Sequence, residues 1–234
     1  MKNLVAGLLL TAVLSACGNG PIFRVDDDLY DWVKAPSAVD PASDYTPLLE
    51  GQTVRFALDP GNKHSALVTG DDWRLGQTYL MGFDVRFERL PGGNTPIVLS
   101  RLVRTGAASP VEIASVQVDQ RRGVTVMGRE CIKSPELGNW HRVEMRMKMS
   151  NGDTGYLEVF CDRKPIWAMT KIRTTFAPGC RLSEGCDSDV PKPVGYEWRN
   201  GLMMDQKAGT SVVAYMRKLH YRLVFYVPNR AGNL

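Results

Sequence analysis

Only three imidazoles are available for proton transfer in this 234-residue chain: His64, His141 and His220. His220 has the most chemistry around it, with Lys218, Tyr221 and Arg222 close by. Cationic neighbours lower an imidazole's pKa, leaving it neutral and able to accept a proton near pH 7. His141, beside Trp140, reads as a structural residue at the start of a strand, and His64, between Lys63 and Ser65, as an exposed loop residue. Phosphate-cradling Gly-rich loops, HExxH, GxSxG and CxxC patterns are all missing. No strand-like run carries the closely spaced carboxylates of a retaining glycosidase. Positive charge is better supplied. Arg101, Arg199, Lys218, His220 and Arg222 lie on strand-like runs, and Trp198 stands beside Arg199. If those runs share a sheet, the side chains form a cleft that grips carboxylates through bidentate guanidinium contacts. The plainer alternative is a solvated outer sheet face.

These residues need a scaffold, and the sequence indicates one. Hydrophobic content of 44% and charged content of 23% are ordinary globular values, so wholesale disorder is excluded. A net charge of +4 is no nucleic-acid footprint. Residues 1–16, 17–50 and 51–234 read as three regions. The first carries Lys2 and an apolar run from Leu4 to Leu14, too short against the ~20 residues of a membrane span but suited to a signal-peptide core. The second is acidic and Pro-containing, with Asp26, Asp27 and Asp28 in succession, and reads as a tether with one helical turn near Asp27–Val33. The third is dominated by period-two alternation. Tyr79, Met81, Phe83, Val85 and Phe87 form one apolar face; Val143, Met145, Met147 and Met149 form another; Tyr215, Leu219, Tyr221, Leu223 and Phe225 suggest a third. A turn over residues 150–155 joins the second face to Tyr156–Cys161 as a hairpin. The expectation is an all-β fold, a two-sheet antiparallel sandwich.

Leu14-Ser15-Ala16-Cys17 resembles the lipobox of bacterial lipoproteins. The resemblance implies cleavage before Cys17, acylation of its thiol and new amine, and a membrane anchor worth ~0.8 kcal/mol per buried methylene. Gly18, where Asp would signal inner-membrane retention, points to the outer membrane of the cell envelope. Export to an oxidising compartment lets Cys131, Cys161, Cys180 and Cys186 form two bridges, with three connectivities open. Cys131–Cys161, at the ends of the runs Gly123–Cys131 and Tyr156–Cys161, and Cys180–Cys186, closing a short loop, is the favoured pairing. A four-cysteine zinc site is disfavoured because no CxxC pair exists. Asp153, Asp162 and Asp205 are loop aspartates of the kind that ligate Ca²⁺, though such residues more often form turns. No cofactor is expected.

Longer segments carry a second resemblance. Residues 138–143 and 155–164, Gly-Asn-Trp-His-Arg-Val and Gly-Tyr-Leu-Glu-Val-Phe-Cys-Asp-Arg-Lys, resemble the strand–turn–strand of concanavalin A-like jelly rolls. Residues 75–85 and 197–203 resemble two strands of the polysaccharide lyases with this fold, of the alginate, glucuronan and heparin lyase I type. Such lyases act by β-elimination on uronate polymers. A cationic or amide group neutralises the carboxylate, a His or Tyr takes the adjacent proton, and Tyr protonates the leaving oxygen. The resemblance implies an R-x-E-L, a Q-x-H and a K-x-G-x-Y strand. This chain has His64-Ser65-Ala66-Leu67 in the first and no Gln or His in Pro96–Arg104. In the third, Arg199 keeps the charge while Met203 takes the Tyr position, and methionine carries no proton. The reading is therefore a lipid-anchored envelope protein whose jelly roll binds acidic polysaccharide with little or no cleavage. One alternative is a divergent lyase using His220 or Tyr221 with Arg199. Another is a structural envelope lipoprotein with a protein partner.

Overall fold

The computed structural model describes residues 39–90, 92, 95–105, 110–175 and 194–224. Cys17, Cys180, Cys186, Phe225 and the helical turn expected near Asp27–Val33 lie outside them. Thirteen strands are described: β1 (Leu48–Glu50), β2 (Thr53–Leu58), β3 (His64–Trp73), β4 (Thr78–Arg89), β5 (Ile97–Arg104), β6 (Val111–Asp119) and β7 (Gly123–Val126), then β8 (Arg129–Ile132), β9 (His141–Lys148), β10 (Gly155–Cys161), β11 (Lys164–Ile172), β12 (Val194–Met203) and β13 (Val212–Val224). One sheet has seven strands in the order β1-β2-β13-β4-β9-β10-β11, the other six in the order β3-β12-β5-β6-β7-β8. Every pairing is antiparallel. The architecture is the expected two-sheet jelly-roll sandwich.

Period two decides which side chains meet between the sheets. Tyr79, Met81, Phe83, Val85 and Phe87 of β4, and Val143, Met145 and Met147 of β9, enter the core as their alternation predicts. From the six-stranded sheet come Tyr196, Trp198 and Leu202 of β12, Leu102 of β5, and Ala114, Val116 and Val118 of β6. Cys131 of β8 is bonded to Cys161 of β10, so the bridge ties one sheet to the other.

Two runs break their expected pattern. Gly123–Cys131 is a hairpin rather than one strand, because Met127 (φ 50) and Gly128 (φ 78) turn the chain in left-handed conformation. In β13, Met216 rather than Tyr215 faces inward. A register shift between Arg217 and His220, with Lys218 at φ 51, then restores Leu219 and Tyr221 to the core. A left-handed non-glycine residue costs about 1–2 kcal/mol. Burying Leu219 returns about 1.5–3 kcal/mol and Tyr221 adds to it, so the irregular strand is the more stable one.

Residues before β1 are docked onto the outer edge of β3. Val39 bridges Leu67, the Asp40 N–H donates to the Ala66 carbonyl at 3.0 Å, and the Ser43 hydroxyl accepts the Ala66 N–H at 3.0 Å. Asp44 accepts the N–H groups of Lys63 and His64 on its carboxylate. This segment closes an edge that would otherwise present unpaired backbone groups.

His141 pins the far end of the sandwich. Its Nδ1 lies 2.8 Å from Asp162 Oδ2 and its Nε2 2.9 Å from the Glu136 carbonyl, while Asp162 Oδ1 accepts the Arg142 N–H. Burial disfavours the charged ring, but the Asp162 and Glu136 contacts outweigh it and raise the His141 pKa above its usual value. The structural role read for His141 is the one its contacts show. A folded-state pKa above the unfolded one stabilises fully below the unfolded value and is lost as pH climbs through the folded value. Urea denaturation of wild type and His141→Gln should therefore show a larger stability gap at pH 5.5 than at pH 8.5. An equal gap at both would remove the charged ring from the account.

Candidate functional site

The outer face of the six-stranded sheet gathers Arg199, Glu197, Arg101 and Met203. Strand β12 runs between β3 and β5. Because Tyr196, Trp198 and Leu202 face the core, the intervening Glu197, Arg199 and Met203 face outward. On β5 the same reasoning turns Arg101 outward from Leu102, and Arg199 and Arg101 are direct register partners. Directly opposed residues have Cβ atoms about 4.5–5.5 Å apart, and like charges there repel. Ser115, partner of Arg101 on the next strand, and Gln117 extend this face toward β7.

Arg199 is not bare. Its Nη2 lies 2.6 Å and its Nε 3.1 Å from Glu197 Oε2, and its Nη1 lies 3.2 Å from Asp40 Oδ2. Asp40 is only 2% exposed, and its other carboxylate oxygen accepts the Ala42 N–H at 2.9 Å. Arg101 differs. Its Nε is buried with no hydrogen-bond partner, and among the described residues it enters no ion pair.

Gly201 lets β12 lie this close to β3. It has φ 148, and a Cβ there would stand 2.2 Å from the Ser65 carbonyl oxygen and 2.6 Å from Ala66 Cα. The register of β12 against β5 shifts between Asn200 and Met203 while that against β3 stays continuous, so Met203 opposes His64. Met203 is buried without joining the central core, and His64 Nδ1 is buried without a partner. His64 is thus the first residue of β3 on the outer face, not a loop residue. Only the pairing of β3 with β12 shows this, and those strands are far apart in sequence.

The remaining expected site residues go elsewhere. Trp198 is 1% exposed in the core, and its indole N–H donates to the Ser100 hydroxyl at 2.9 Å, so no ligand reaches the ring. Adjacent residues of a strand point to opposite faces, which is why Trp198 cannot share the outer face with Arg199. Lys218 and His220 lie on β13 in the seven-stranded sheet, and the core separates them from Arg101 and Arg199. Arg222 belongs to the same strand, paired with Leu80. His220 Nε2 is 3.5 Å from Glu144 Oε1 and its Nδ1 2.9 Å from the Lys218 carbonyl. An anion therefore faces this imidazole, where the sequence showed only cations. His220 holds the Glu144 carboxyl below the usual carboxylate range, against burial and with help from Arg142. Gly82 makes that contact feasible, since a Cβ there would stand 2.7 Å from Glu144 Cγ. Tyr221 sits in the core against Trp73 and Trp198. The set His220, Tyr221 and Arg199 is thus divided among three layers and cannot act on one substrate.

No described tyrosine reaches the outer face of the six-stranded sheet. Tyr79, Tyr196 and Tyr221 are core residues, and burial pushes the Tyr196 phenol far above its ordinary pKa. Tyr45 and Tyr215 bond Arg55, and Tyr156 meets Thr78, all in the other sheet or beside it. Asp162 is committed to His141 and Arg142, and the described residues hold no group of three His, Cys, Asp or Glu arranged to bind a metal.

No family model matches this sequence, and no curated protein matches it. Among solved structures, the fold is similar to alginate lyase AlgAT5 of polysaccharide lyase family 7, with TM-score 0.53 and 12% identity over 78% of this chain and 84% of that one. An endo-β-1,4-glucuronan lyase from the fungus Trichoderma reesei aligns with TM-score 0.53 and 11% identity over 88% and 91%. A family 7 alginate lyase in complex with substrate aligns with TM-score 0.54 and 13% identity over 80% and 84%. At these identities the likeness establishes the jelly-roll fold.

The close approach at Gly201 can be tested by stability. Gly201→Ala should lower the unfolding free energy by roughly 2–3 kcal/mol through backbone strain and displacement of β3. A loss under about 0.5 kcal/mol in urea denaturation would show that β12 and β3 have room to spare.

Proposed function

We propose that this protein is an envelope lipoprotein that binds acidic polysaccharide on the outer face of its six-stranded sheet and cleaves it little or not at all. The observation that carries the reading is the Arg199–Arg101 pair on a face with no described tyrosine. A guanidinium offers planar, bidentate donors matched to a carboxylate, and Arg101 enters no ion pair among the described residues. The solved structures of this fold include lyases of alginate and glucuronan, both named for acidic polymers. Elimination also demands groups that take and return a proton within hydrogen-bond reach of the sugar. Met203 supplies neither. His64 opposes Met203 four register positions along β3 from Val68, the partner of Arg199. At about 3.3 Å per residue that is about 13 Å, too far for one group to act where the other neutralises. The lipobox-like Leu14-Ser15-Ala16-Cys17 supports anchoring, with outer membrane the assignment favoured by Gly18.

Retention on alginate- and glucuronan-coupled gel tests the reading. Wild type should be retained at low ionic strength and released by salt, without the ultraviolet absorbance of unsaturated uronate appearing in solution. Arg101→Ala should weaken retention roughly tenfold, the worth of one charge-assisted contact. No retention on any acidic polymer would refute the binding claim; steady growth of absorbance would make the protein a lyase. For the anchor, Cys17→Ser should move the protein from membrane to soluble fractions, and unchanged fractionation would contradict lipidation.

A further inference from the structure

The anion-binding face holds an anion of its own. Asp40 is buried, comes from the segment that edges β3, and brings Oδ2 to 3.2 Å from Arg199 Nη1. We propose that Asp40 is an internal competitor for this site, so that a uronate carboxylate binds by displacing it from Arg199. The inference rests on the acidic-polysaccharide reading and adds a regulation to it. Three observations support it. The Asp40 Oδ2 contact with Arg199 is not aligned as a hydrogen bond, so charge rather than direction holds it. Its other oxygen is fixed locally by the Ala42 N–H, which places the carboxylate without help from Arg199. The segment is anchored to β3 through the Asp40 N–H, the Ser43 hydroxyl, the Asp44 carboxylate and the backbone N–H of Tyr45, none of which needs the Asp40 side-chain charge.

Charge counting gives the consequence. Arg199 and Arg101 contribute two positive charges, and Asp40 and Glu197 two negative ones, so the group is neutral before a ligand arrives. Glu197 is a third exposed and can swing toward water. Asp40 is enclosed, and its charge is the one a polymer must overcome. Neutralising it leaves Arg199 Nη1 open to an external carboxylate beside Arg101, which enters no ion pair among the described residues.

Asp40→Asn and Asp40→Ser remove the charge while leaving an oxygen to accept the Ala42 N–H. The test compares them with wild type on alginate-coupled gel, with thermal melting to confirm folding. Retention should tighten roughly three- to tenfold, the scale of one partly screened charge contact. Adding Arg101→Ala to Asp40→Asn should lose the gain together with the binding. If wild type is retained while both folded Asp40 variants bind equally or more weakly, the competitor role is overturned and the polysaccharide reading stands. If neither wild type nor either variant is retained, the reading itself falls and takes this inference with it.

Discussion

Two guanidiniums set directly opposite each other on paired antiparallel strands would repel, and the structure turns on how that repulsion is relieved. Arg199 is neutralised from both sides, by Glu197 on its own strand and by Asp40 from the docked N-terminal segment. Arg101, by contrast, enters no ion pair among the described residues, and its Nε is buried with no hydrogen-bond partner. The arrangement requires β12 to pass within contact distance of β3, so that Arg199 reaches past Val68 to the sheet edge. Gly201 grants that approach. Charge placement, the glycine and the edge segment are therefore one construction.

On the proposed reading, the same face accounts for binding without cleavage. Carboxylate binding needs only directional cations, and the proposal assigns that part to Arg101 and Arg199. Elimination needs in addition a base and an acid converging on one sugar. The phenols of the described residues are in the core or at the other sheet, and His220 faces Glu144 across Gly82 on the opposite side of the sandwich. The similarity to alginate and glucuronan lyases is a similarity of scaffold. Function belongs to the site built on a scaffold.

Much of the scaffold was legible in the sequence. The apolar faces of β4 and β9 followed from period two, and the Cys131–Cys161 bridge from the ends of two strand-like runs. The phase of β13 was not, because a left-handed Lys218 shifts the register where no glycine announces it. The site was half legible. Arg101 and Arg199 share a face as expected, whereas Trp198 beside Arg199 and Tyr221 beside His220 could never share one, since neighbours in a strand diverge. Lys218 and His220 were lost to the site through sheet order, and Asp40 and His64 were missed for the same reason. All four depend on which distant strands pair, and no local pattern encodes that.

The most direct measurement of the central claim is an NMR titration of isotope-labelled protein with a short oligouronate. Shift changes should concentrate on Arg199, Arg101 and their neighbours along β12, β5 and the edge of β3, and the oligosaccharide should remain intact. Changes centred instead on β13 around Lys218 and His220, or steady conversion of the sugar to unsaturated product, would contradict the account.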